Sequence, residues 1–343
     1  MAQSALDLAI EAVAFGHDLT QDQAAEALAV IMAGEASEQQ ISELLLGLRE
    51  KGETVDELAG LAQTMRSLAT PVKPNRGDLL DTCGTGGGRR TFNISTTAAL
   101  IAAAAGCAVA KHGNRTATGL SGSADVLEAL GAKLDLKPDA EARLIDEVGF
   151  GFMFAPAHHA ATRYVVPVRK ALGVPTIFNL LGPLTNPAGA RRQMIGVPDP
   201  GSIDLVAGAL LRLGTEHALV VSSEDGLDEI SISGTTQVAE LDHTEMTRYT
   251  LTPEQFGIEP ATDQQLSGGG PEENAAIIRA IFSGEPGPQR EIASLNAGAA
   301  IYVAGRADSI GEGLELAREA IDSGAAAATL DQFLTLSAEL AAQ

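Results

Sequence analysis

Residues 79–113 read LLDTCGTGGGRRTFNISTTAALIAAAAGCAVAKHG. The stretch holds a short apolar run at 79–84, an alanine-rich helical segment at 93–106 and a second short apolar run at 107–113. A buried strand, a helix and another buried strand in this order predict a βαβ unit of a parallel sheet. Ligands of such sheets gather at the carboxyl ends of the strands, so a site is expected after residues 84 and 113.

The segments on either side of this unit extend the fold prediction. Residues 1–70 repeat apolar positions at helical spacing, and Pro71 and Pro74 then interrupt the pattern. Residues 157–190 return to a helical, proline-punctuated pattern. We therefore expect an α/β protein with a small all-helical domain and a large α/β domain, whose central, mostly parallel sheet is flanked by helices. The small domain takes 1–72 plus about 157–190, the large one 76–156 plus 191–343, and the hinge lies near 71–76.

Further strands are predicted along the large domain. The apolar, β-branched segments are MIGV (194–197), ALVVSS (218–223), EISIS (229–233) and QVAEL (237–241). The last forty residues have a helical pattern and should close the domain.

Charge and composition restrict the function classes. The formal net charge is −22, from 23 Lys and Arg against 45 Asp and Glu, so neither nucleic acid nor an anionic membrane is an expected partner. Two cysteines, Cys83 and Cys107, are expected to be reduced, buried thiols. The N-terminus lacks the features of a signal peptide, and the apolar run at 96–110 is too short to span a bilayer. We expect a cytoplasmic protein.

The glycine-rich segment 84–88 joins the first strand to the helix. Glycines let backbone N–H groups approach a phosphate, and the free N–H groups of a helix that begins near Asn93 favour an anion. No Lys-Ser or Lys-Thr follows as in a Walker motif, and no acidic residue ends the next strand as in a dinucleotide site. A tight connection without a ligand is the alternative.

The second strand ends in the polar segment Lys111-His112-Gly113-Asn114-Arg115. Cations and an amide at a strand's carboxyl end indicate an anion site rather than a solvated loop. The chain then reaches a second small-residue helix start at 121–125. Two helix starts separated by a basic loop predict a substrate with two phosphate groups.

The adjacent carboxylates Asp228 and Glu229 are candidates for a metal site. Mg²⁺ prefers a few carboxylates, waters and substrate phosphates. A turn with exposed charge is the alternative in so acidic a chain.

These motifs together carry a family resemblance. GTGG (84–87), NIST (93–96), KHGNR (111–115), SGSADVLEALG (121–131), FNLLGPLTNPA (178–188) and GLDEIS (226–231) resemble the anthranilate phosphoribosyltransferases of tryptophan synthesis over nearly the whole chain. The resemblance implies transfer of phosphoribose from phosphoribosyl pyrophosphate (PRPP) to the amine of anthranilate, with Mg²⁺ as cofactor. It also implies a homodimer formed through the small domains.

The resemblance also implies the site residues. Lys111, Asn114 and Arg169 would carry catalysis, and Ser95, Asp228 and Glu229 would hold Mg²⁺. The residues implied for PRPP are Gly84, Gly87, Gly88, Thr91, Asn93, Ile94, Ser95, Thr96, Lys111, His112, Gly113, Asn114, Arg115, Thr118, Gly119 and Ser123. Those implied for anthranilate are Gly84, His112, Asn114, His159, Arg169, Gly182 and Pro183. Arg169 offers a bidentate partner for the anthranilate carboxylate, a surface ion pair being the alternative. Adjacent residues of a helix point apart, so at most one of His158 and His159 should face the cleft.

The chain departs from the family pattern in the glycine loop. The family usually has an acidic residue after GTGG, where this chain has Gly88 followed by Arg89 and Arg90 in a loop one residue shorter. The arginines could attract pyrophosphate or face solvent. Two rival functions remain open: a phosphoribosyltransferase or nucleoside phosphorylase with another acceptor, and a non-catalytic nucleic-acid-binding relative.

Overall fold

The computed structural model describes residues 3–116 and 119–343. The N-terminal segment is helical, as its periodicity predicted. Each of its helices follows a Ser or Thr whose side chain caps the first turn in a capping box, which fixes where the helix begins. The helices are α1 (Ala5–Ala14), α2 (Gln21–Met32), α3 (Glu38–Lys51) and α4 (Val55–Leu68).

Within the described residues the large domain is built on one seven-stranded sheet. Its strands are β1 (Leu79–Gly84), β2 (Ala108–Gly113), β3 (Phe150–Phe154), β4 (Arg192–Gly196), β5 (His217–Ser223), β6 (Thr236–Asp242) and β7 (Glu245–Leu251). The spatial order is β3-β2-β1-β4-β5-β6-β7. The pairs from β3 to β5 are parallel, whereas β6 and β7 are antiparallel additions at one edge.

The remaining helices cover the sheet and complete the helical unit. They are α5 (Ile94–Ala104), α6 (Ser123–Leu130), α7 (Pro138–Val148), α8 (Ala155–His158), α9 (Val166–Leu172), α10 (Phe178–Leu181), α11 (Ile203–Arg212), α12 (Pro271–Phe282), α13 (Pro288–Val303), α14 (Ile310–Asp322) and α15 (Ala325–Ala341). Short 3₁₀ turns lie at Ala160–Tyr164, Gly182–Leu184, Pro200–Ser202, Pro253–Phe256 and Asp263–Leu266. The predicted combination of a helical unit and a mostly parallel α/β sheet is confirmed.

Of three apolar clusters, the two larger ones lie on opposite sides of the sheet. One joins α5, α13, α14 and α15 to the sheet through residues such as Leu100, Phe150 and Phe333. The other joins α1–α4 to α9, α10 and α11 through residues such as Leu28 and Val168. The middle segment therefore shares its core with the N-terminal helices, although the exact domain limits stay a prediction.

The expected strand at 229–233 was wrong. These residues form bends and irregular backbone, because side chains take the backbone groups that a neighbouring strand would have bonded. The side chain of Asn296 binds both the N–H and the C=O of Ile230, and Thr236 Oγ1 accepts from Ser231 N–H. Strands β3 and β7 were not predicted; β3 is a five-residue apolar run and β7 is largely exposed and polar.

In the described part of the chain, no helix is long and apolar enough to cross a membrane.

Candidate active site

The strand order reverses between β1 and β4, which is where an open α/β sheet binds its ligand. Gly84 ends β1 and is paired with Gly196 at the end of β4. A side chain on Gly84 would collide with the Asp228 carboxylate, and one on Gly196 would collide with the Asp228 backbone. Two glycines thus make room for the acidic turn at the carboxyl edge of the sheet.

The glycine loop folds over the same carboxylate. Gly86 and Gly87 have φ values of 73° and 87°, a region that favours glycine, and Gly86 N–H lies 3.3 Å from Asp228 Oδ2. A Cβ on Gly88 would lie 2.8 Å from Asp228 Oδ1. In this conformation the loop therefore has no room for the acidic residue that the family usually carries here.

The two arginines of the shortened loop differ in their surroundings. Arg89 donates its backbone N–H to Gly226 O at 3.1 Å, and its guanidinium pairs with Asp225 at 3.4 Å and with Asp263. Arg90 is exposed. Arg89 thus fastens the loop to the turn that carries the acidic pair, and Arg90 faces solvent.

Asn93 directly precedes the first turn of α5. Asn93 makes no side-chain cap bond; its Oδ1 accepts instead from Ser121 Oγ at 3.1 Å and from Asn274 Nδ2 at 2.8 Å. Asn93 therefore ties the loop before α6 and the first turn of α12 to the start of α5. The side chains of Ile94 and Thr96 are buried, and the backbone N–H of Ile94 already donates to Phe92 O at 2.8 Å.

Lys111 lies beneath this helix start, almost completely buried. Its Nζ donates to Thr82 O and lies 3.4 Å from Ser95 Oγ. Burial lowers the pKa of Lys111, and the charges of Asp81 and Glu229 oppose that change. The ammonium group is thus next to the site where an anion would bind.

The acidic pair next to Lys111 has the chemistry of a magnesium site. Burial raises the pKa of Asp228, and burial together with the charge of Asp228 raises the pKa of Glu229 to about 8. A divalent cation would relieve this repulsion. Among residues 3–116 and 119–343 no three His, Cys, Asp or Glu side chains form a metal cluster, so the protein supplies few ligands. Two carboxylates and the Ser95 hydroxyl suit Mg²⁺, which keeps waters and phosphates as its other ligands.

The loop after β2 places its polar residues unequally. Asn114 is exposed, and its Oδ1 accepts from Arg115 N–H at 2.7 Å. The Arg115 guanidinium bonds to Glu128 at 2.7 Å and lies 4.7 Å from the centre of the Phe154 ring. Arg115 is therefore engaged with α6 and β3, whereas Asn114 is accessible from the cleft.

The second helix start is already bonded by a carboxylate. Asp125 Oδ2 accepts from Gly122 N–H at 2.8 Å and from Thr116 N–H at 3.0 Å. Gly119 N–H donates to Thr116 Oγ1 at 2.7 Å, and Ser123 begins α6. Thr118, which was expected to bind PRPP, lies outside the described residues.

Two buried histidine rings pack against each other near the end of β2. The rings of His112 and His159 are 5.1 Å apart, and neither Nε2 has a partner among the described residues. Burial, reinforced by neighbouring histidines, lowers the pKa of His112 to about 3 and that of His159 to about 4. His112 Nδ1 lies 3.2 Å from Gly182 O, so Nδ1 carries the proton. Both rings are neutral at pH 7 and form an uncharged wall.

His158 does not belong to this wall. Its Nδ1 bonds to Thr70 O at 2.9 Å and its Nε2 to Glu141 at 3.0 Å. As expected, the adjacent histidines point apart.

Arg169 lies on α9, ten residues after His159, and its side chain is half-buried. Its Nη2 donates to Asn179 Oδ1 at 3.2 Å, and its guanidinium carbon is 5.6 Å from the centre of the Phe178 ring. No carboxylate of the described residues lies within ion-pair distance, so the alternative of a surface ion pair does not describe it. Burial lowers the pKa of Arg169.

Sequence reasoning missed Asp81 and Asn186. Both are buried beneath the site and bonded to each other, with Asp81 Oδ2 2.8 Å from Asn186 Nδ2. A carboxylate inside the apolar strand LLDTCG was the available signal, since such a group is not buried without partners.

Comparisons with known proteins agree with this arrangement. Residues 76–327 match the glycosyl transferase family a/b domain, and residues 8–69 match the helical bundle domain of the same family. Anthranilate phosphoribosyltransferase from Moorella thermoacetica is 52% identical over 322 residues, which cover 94% of this chain and 95% of that protein. The chain belongs to the anthranilate phosphoribosyltransferase family.

Solved structures of the anthranilate phosphoribosyltransferase family share the fold. The Thermus thermophilus enzyme matches with a TM-score of 0.92 and 46% identity, covering 98% of this chain and 99% of that one. The Saccharomyces cerevisiae enzyme in complex with PRPP and Mg matches with a TM-score of 0.90 and 27% identity over 99% of both chains. The same yeast enzyme in complex with 4-fluoroanthranilate gives a TM-score of 0.88 and 26% identity over 98% of both.

Proposed function

We infer that this protein transfers the phosphoribosyl group of PRPP to the amine of anthranilate, giving N-(5-phosphoribosyl)anthranilate and pyrophosphate, in tryptophan biosynthesis. One observation carries this function: a helix start without a side-chain cap, a buried ammonium group and an acidic pair converge at one strand edge, beside an uncharged, histidine-lined wall. The first three suit a phosphorylated substrate with Mg²⁺, and the last suits an aromatic ring.

The geometry suits displacement with inversion at C1 of PRPP. The amine of anthranilate forms the new C–N bond, the C1–O bond to pyrophosphate breaks, and the amine then loses a proton to solvent. An arylamine is already a nucleophile, so no strong base is needed, and the two neutral histidines supply none. Positioning of the reactants and stabilisation of the leaving pyrophosphate by Lys111 supply the rate enhancement. No covalent enzyme intermediate is required.

The metal that this site suits is Mg²⁺. Asp228, Glu229 and Ser95 would hold it, and it would neutralise charge on the pyrophosphate. Those backbone N–H groups of 84–96 that have no partner among the described residues would meet phosphate oxygens, whereas the N–H groups of Thr85, Gly86, Arg89 and Ile94 are already bonded. The proposal keeps the PRPP contacts that the resemblance implies. They are those of Gly84, Gly87, Gly88, Thr91, Asn93, Ser95, Lys111, His112, Gly113, Gly119, Ser123 and, outside the described residues, Thr118.

Anthranilate would bind between the histidine wall and Arg169. The guanidinium offers its free edge to the carboxylate, while Asn114, His159, Gly182 and Pro183 line the approach. Because Arg169 has a single neutral partner, Asn179, it can turn to a carboxylate without breaking an ion pair.

We also propose a cytoplasmic homodimer formed through the helical domain, with domain limits at 1–72 plus about 157–190. Leu8 and Phe15 on α1 and Val166 on α9 are exposed apolar side chains, and α1 and α9 both pack on α3. Apolar side chains concentrated on one unit favour burial against a partner surface.

The loss of anthranilate fluorescence on addition of PRPP and Mg²⁺ tests the function. The rival acceptor chemistry is tested in parallel with orthophosphate and pyrimidine nucleosides. PRPP-dependent consumption of anthranilate supports the proposal. Nucleoside cleavage without anthranilate consumption would replace it.

A further inference from the structure

A buried carboxylate lies directly beneath the active site without touching the substrate positions. Asp81 is the third residue of β1 and has no exposed surface. No cation of the described residues forms an ion pair with it, yet a buried carboxylate requires hydrogen-bond donors. The groups that donate hydrogen bonds to Asp81 therefore indicate its role.

Asp81 bridges the fork where β1 and β2 diverge. The paired register of these strands runs through Leu80 and Val109. Beyond it, the backbone N–H of His112 donates to Asp81 Oδ1 at 3.1 Å, and Lys111 Nζ donates to Thr82 O. Side chains replace backbone pairs here, so the fork stays open for a ligand while its strands stay fixed.

The second carboxylate oxygen holds the segment that runs over the fork. Asn186 is buried, and its Nδ2 donates to Asp81 Oδ2 at 2.8 Å and to Ala110 O at 2.8 Å. Its Oδ1 accepts from Ala188 N–H at 2.9 Å. Both N–H groups of the Asn186 amide are thus bonded, and they hold the segment around Asn186 to β1 and β2.

The same segment carries the acceptor side of the site. Gly182 lies four residues before Asn186, and its carbonyl is 3.2 Å from His112 Nδ1. His112 is therefore held twice, through its backbone by Asp81 and through its ring by the segment that Asp81 anchors. One carboxylate thus fixes both the backbone of His112 and the segment that carries Gly182, next to the place where anthranilate is proposed to bind.

We propose that Asp81 is a positioning residue that, through Asn186 and the His112 backbone, sets the geometry of the anthranilate-binding wall. This role rests on the proposed function. It predicts that loss of the carboxylate weakens anthranilate binding more than PRPP binding, because the glycine loop and α5 are held by other contacts.

The substitution Asp81→Asn tests the role with almost no change in shape. The single side-chain oxygen of the new asparagine can accept from the His112 N–H or from Asn186 Nδ2, but not from both in the native geometry. Its NH₂ group then faces the other donor. We expect the KM for anthranilate to rise at least about tenfold, as for loss of a buried hydrogen bond to a charged group. The KM for PRPP should rise less, by the amount that the lost Asp81 charge weakens the ammonium of Lys111. The control Asp78→Asn removes a half-exposed carboxylate bonded to Arg76 just before β1 and should change neither KM.

The double variant Asp81→Asn with Asn186→Asp exchanges the amide and the carboxylate. The hydrogen bond between positions 81 and 186 can form again with its direction reversed, although the bond to Ala110 O is lost. Partial recovery of the KM for anthranilate, relative to Asp81→Asn alone, is expected. If Asp81→Asn does not fold, as judged by thermal unfolding, Asn186→Ala tests the same link and should raise the KM for anthranilate selectively.

Equal changes in both KM values, or no change in a folded variant, would overturn the positioning role, and so would an absence of recovery in the double variant. These results differ from failure of the proposed function. If the proposed function is wrong, the unsubstituted protein itself consumes no anthranilate, and the positioning role is then wrong as well.

Discussion

The rings of His112 and His159 lie 5.1 Å apart, and both are buried and uncharged at neutral pH. Their pKa values are lowered to about 3 and about 4, below the ordinary value near 6.5. Acidification from pH 8 to pH 5 therefore leaves both rings neutral. In the proposed site, this wall would accept the aromatic ring of anthranilate without adding a cation that competes with Arg169 for its carboxylate.

The first prediction concerns the pH dependence of this wall. The profile of kcat/KM for anthranilate should show no histidine titration between about pH 6 and about pH 8, the range that surrounds the ordinary histidine pKa. An inflection near pH 6.5 that disappears in His159→Asn would show that the ring titrates in the working range and would contradict the neutral wall.

The second prediction concerns Arg169. Arg169→Ala should raise the KM for anthranilate about ten- to a hundredfold, because a charged hydrogen-bonded partner of the carboxylate is lost. Arg169→Lys should recover only part of this loss, since an ammonium cannot bind a carboxylate in a planar, bidentate way. Steady-state kinetics with Arg163→Ala, an exposed arginine bonded to Tyr164, provide the matched control. Equal KM values in Arg169→Ala and Arg163→Ala would remove Arg169 from the site.

The third prediction concerns the shortened glycine loop. In Gly88→Ala the new Cβ would lie 2.8 Å from Asp228 Oδ1, so the carboxylate or the loop must move. We expect the concentration of Mg²⁺ that gives half-maximal activity to rise about tenfold, a cost typical of overpacking. Gly77→Ala, where the added methyl meets open space, should behave as the unsubstituted protein. If Gly88→Ala reaches half-maximal activity at the same Mg²⁺ concentration as the unsubstituted protein, the loop does not position Asp228.

Local sequence patterns predicted much of the fold. Strand β1 was predicted with its observed limits, and a site was expected at the carboxyl ends of β1 and β2, after Gly84 and Gly113. Only the family resemblance grouped Asp228 with that site. The strand predicted at 229–233 failed because Asn296, which is 66 positions away from Ile230, takes its backbone groups. The role of Asp81 was missed for the same reason: its partner Asn186 is 105 positions away, and periodicity carries no information about such contacts.

The fourth prediction concerns the contribution of the buried pair His158 and Glu141 to the stability of the protein. Burial alone would lower the pKa of His158, but the hydrogen bond and charge of Glu141 outweigh burial and raise it. A raised folded-state pKa stabilises the protein fully below the unfolded-state value near 6.5, and this contribution is lost as pH rises through the folded-state pKa.

Glu141→Gln should therefore lower Tm more at pH 6 than at pH 9. Thermal unfolding across this range, with Glu147→Gln as an exposed control from the same helix, measures the difference. A Tm loss that is independent of pH would mean that the pair contributes packing and no charge interaction.

The fifth prediction concerns assembly. Phe15→Glu places a charge on the exposed apolar surface of α1 and should convert a dimer of two 35.3 kDa chains into monomers. Met246→Glu, at an exposed apolar position on β7, should leave the mass unchanged. Light scattering after size-exclusion chromatography gives both masses. A Phe15→Glu protein that remains dimeric would place the interface elsewhere.

The most direct test of the central claim follows the release of one product and the consumption of one substrate in the same reaction. Purified protein, PRPP, Mg²⁺ and anthranilate should give equimolar pyrophosphate release and loss of anthranilate fluorescence. The double variant Asp228→Ala with Glu229→Ala should reduce the rate about a hundredfold or more, since the charge stabilisation of the leaving group is lost. Pyrophosphate release without anthranilate consumption, or no turnover by the unsubstituted protein, would contradict the assignment.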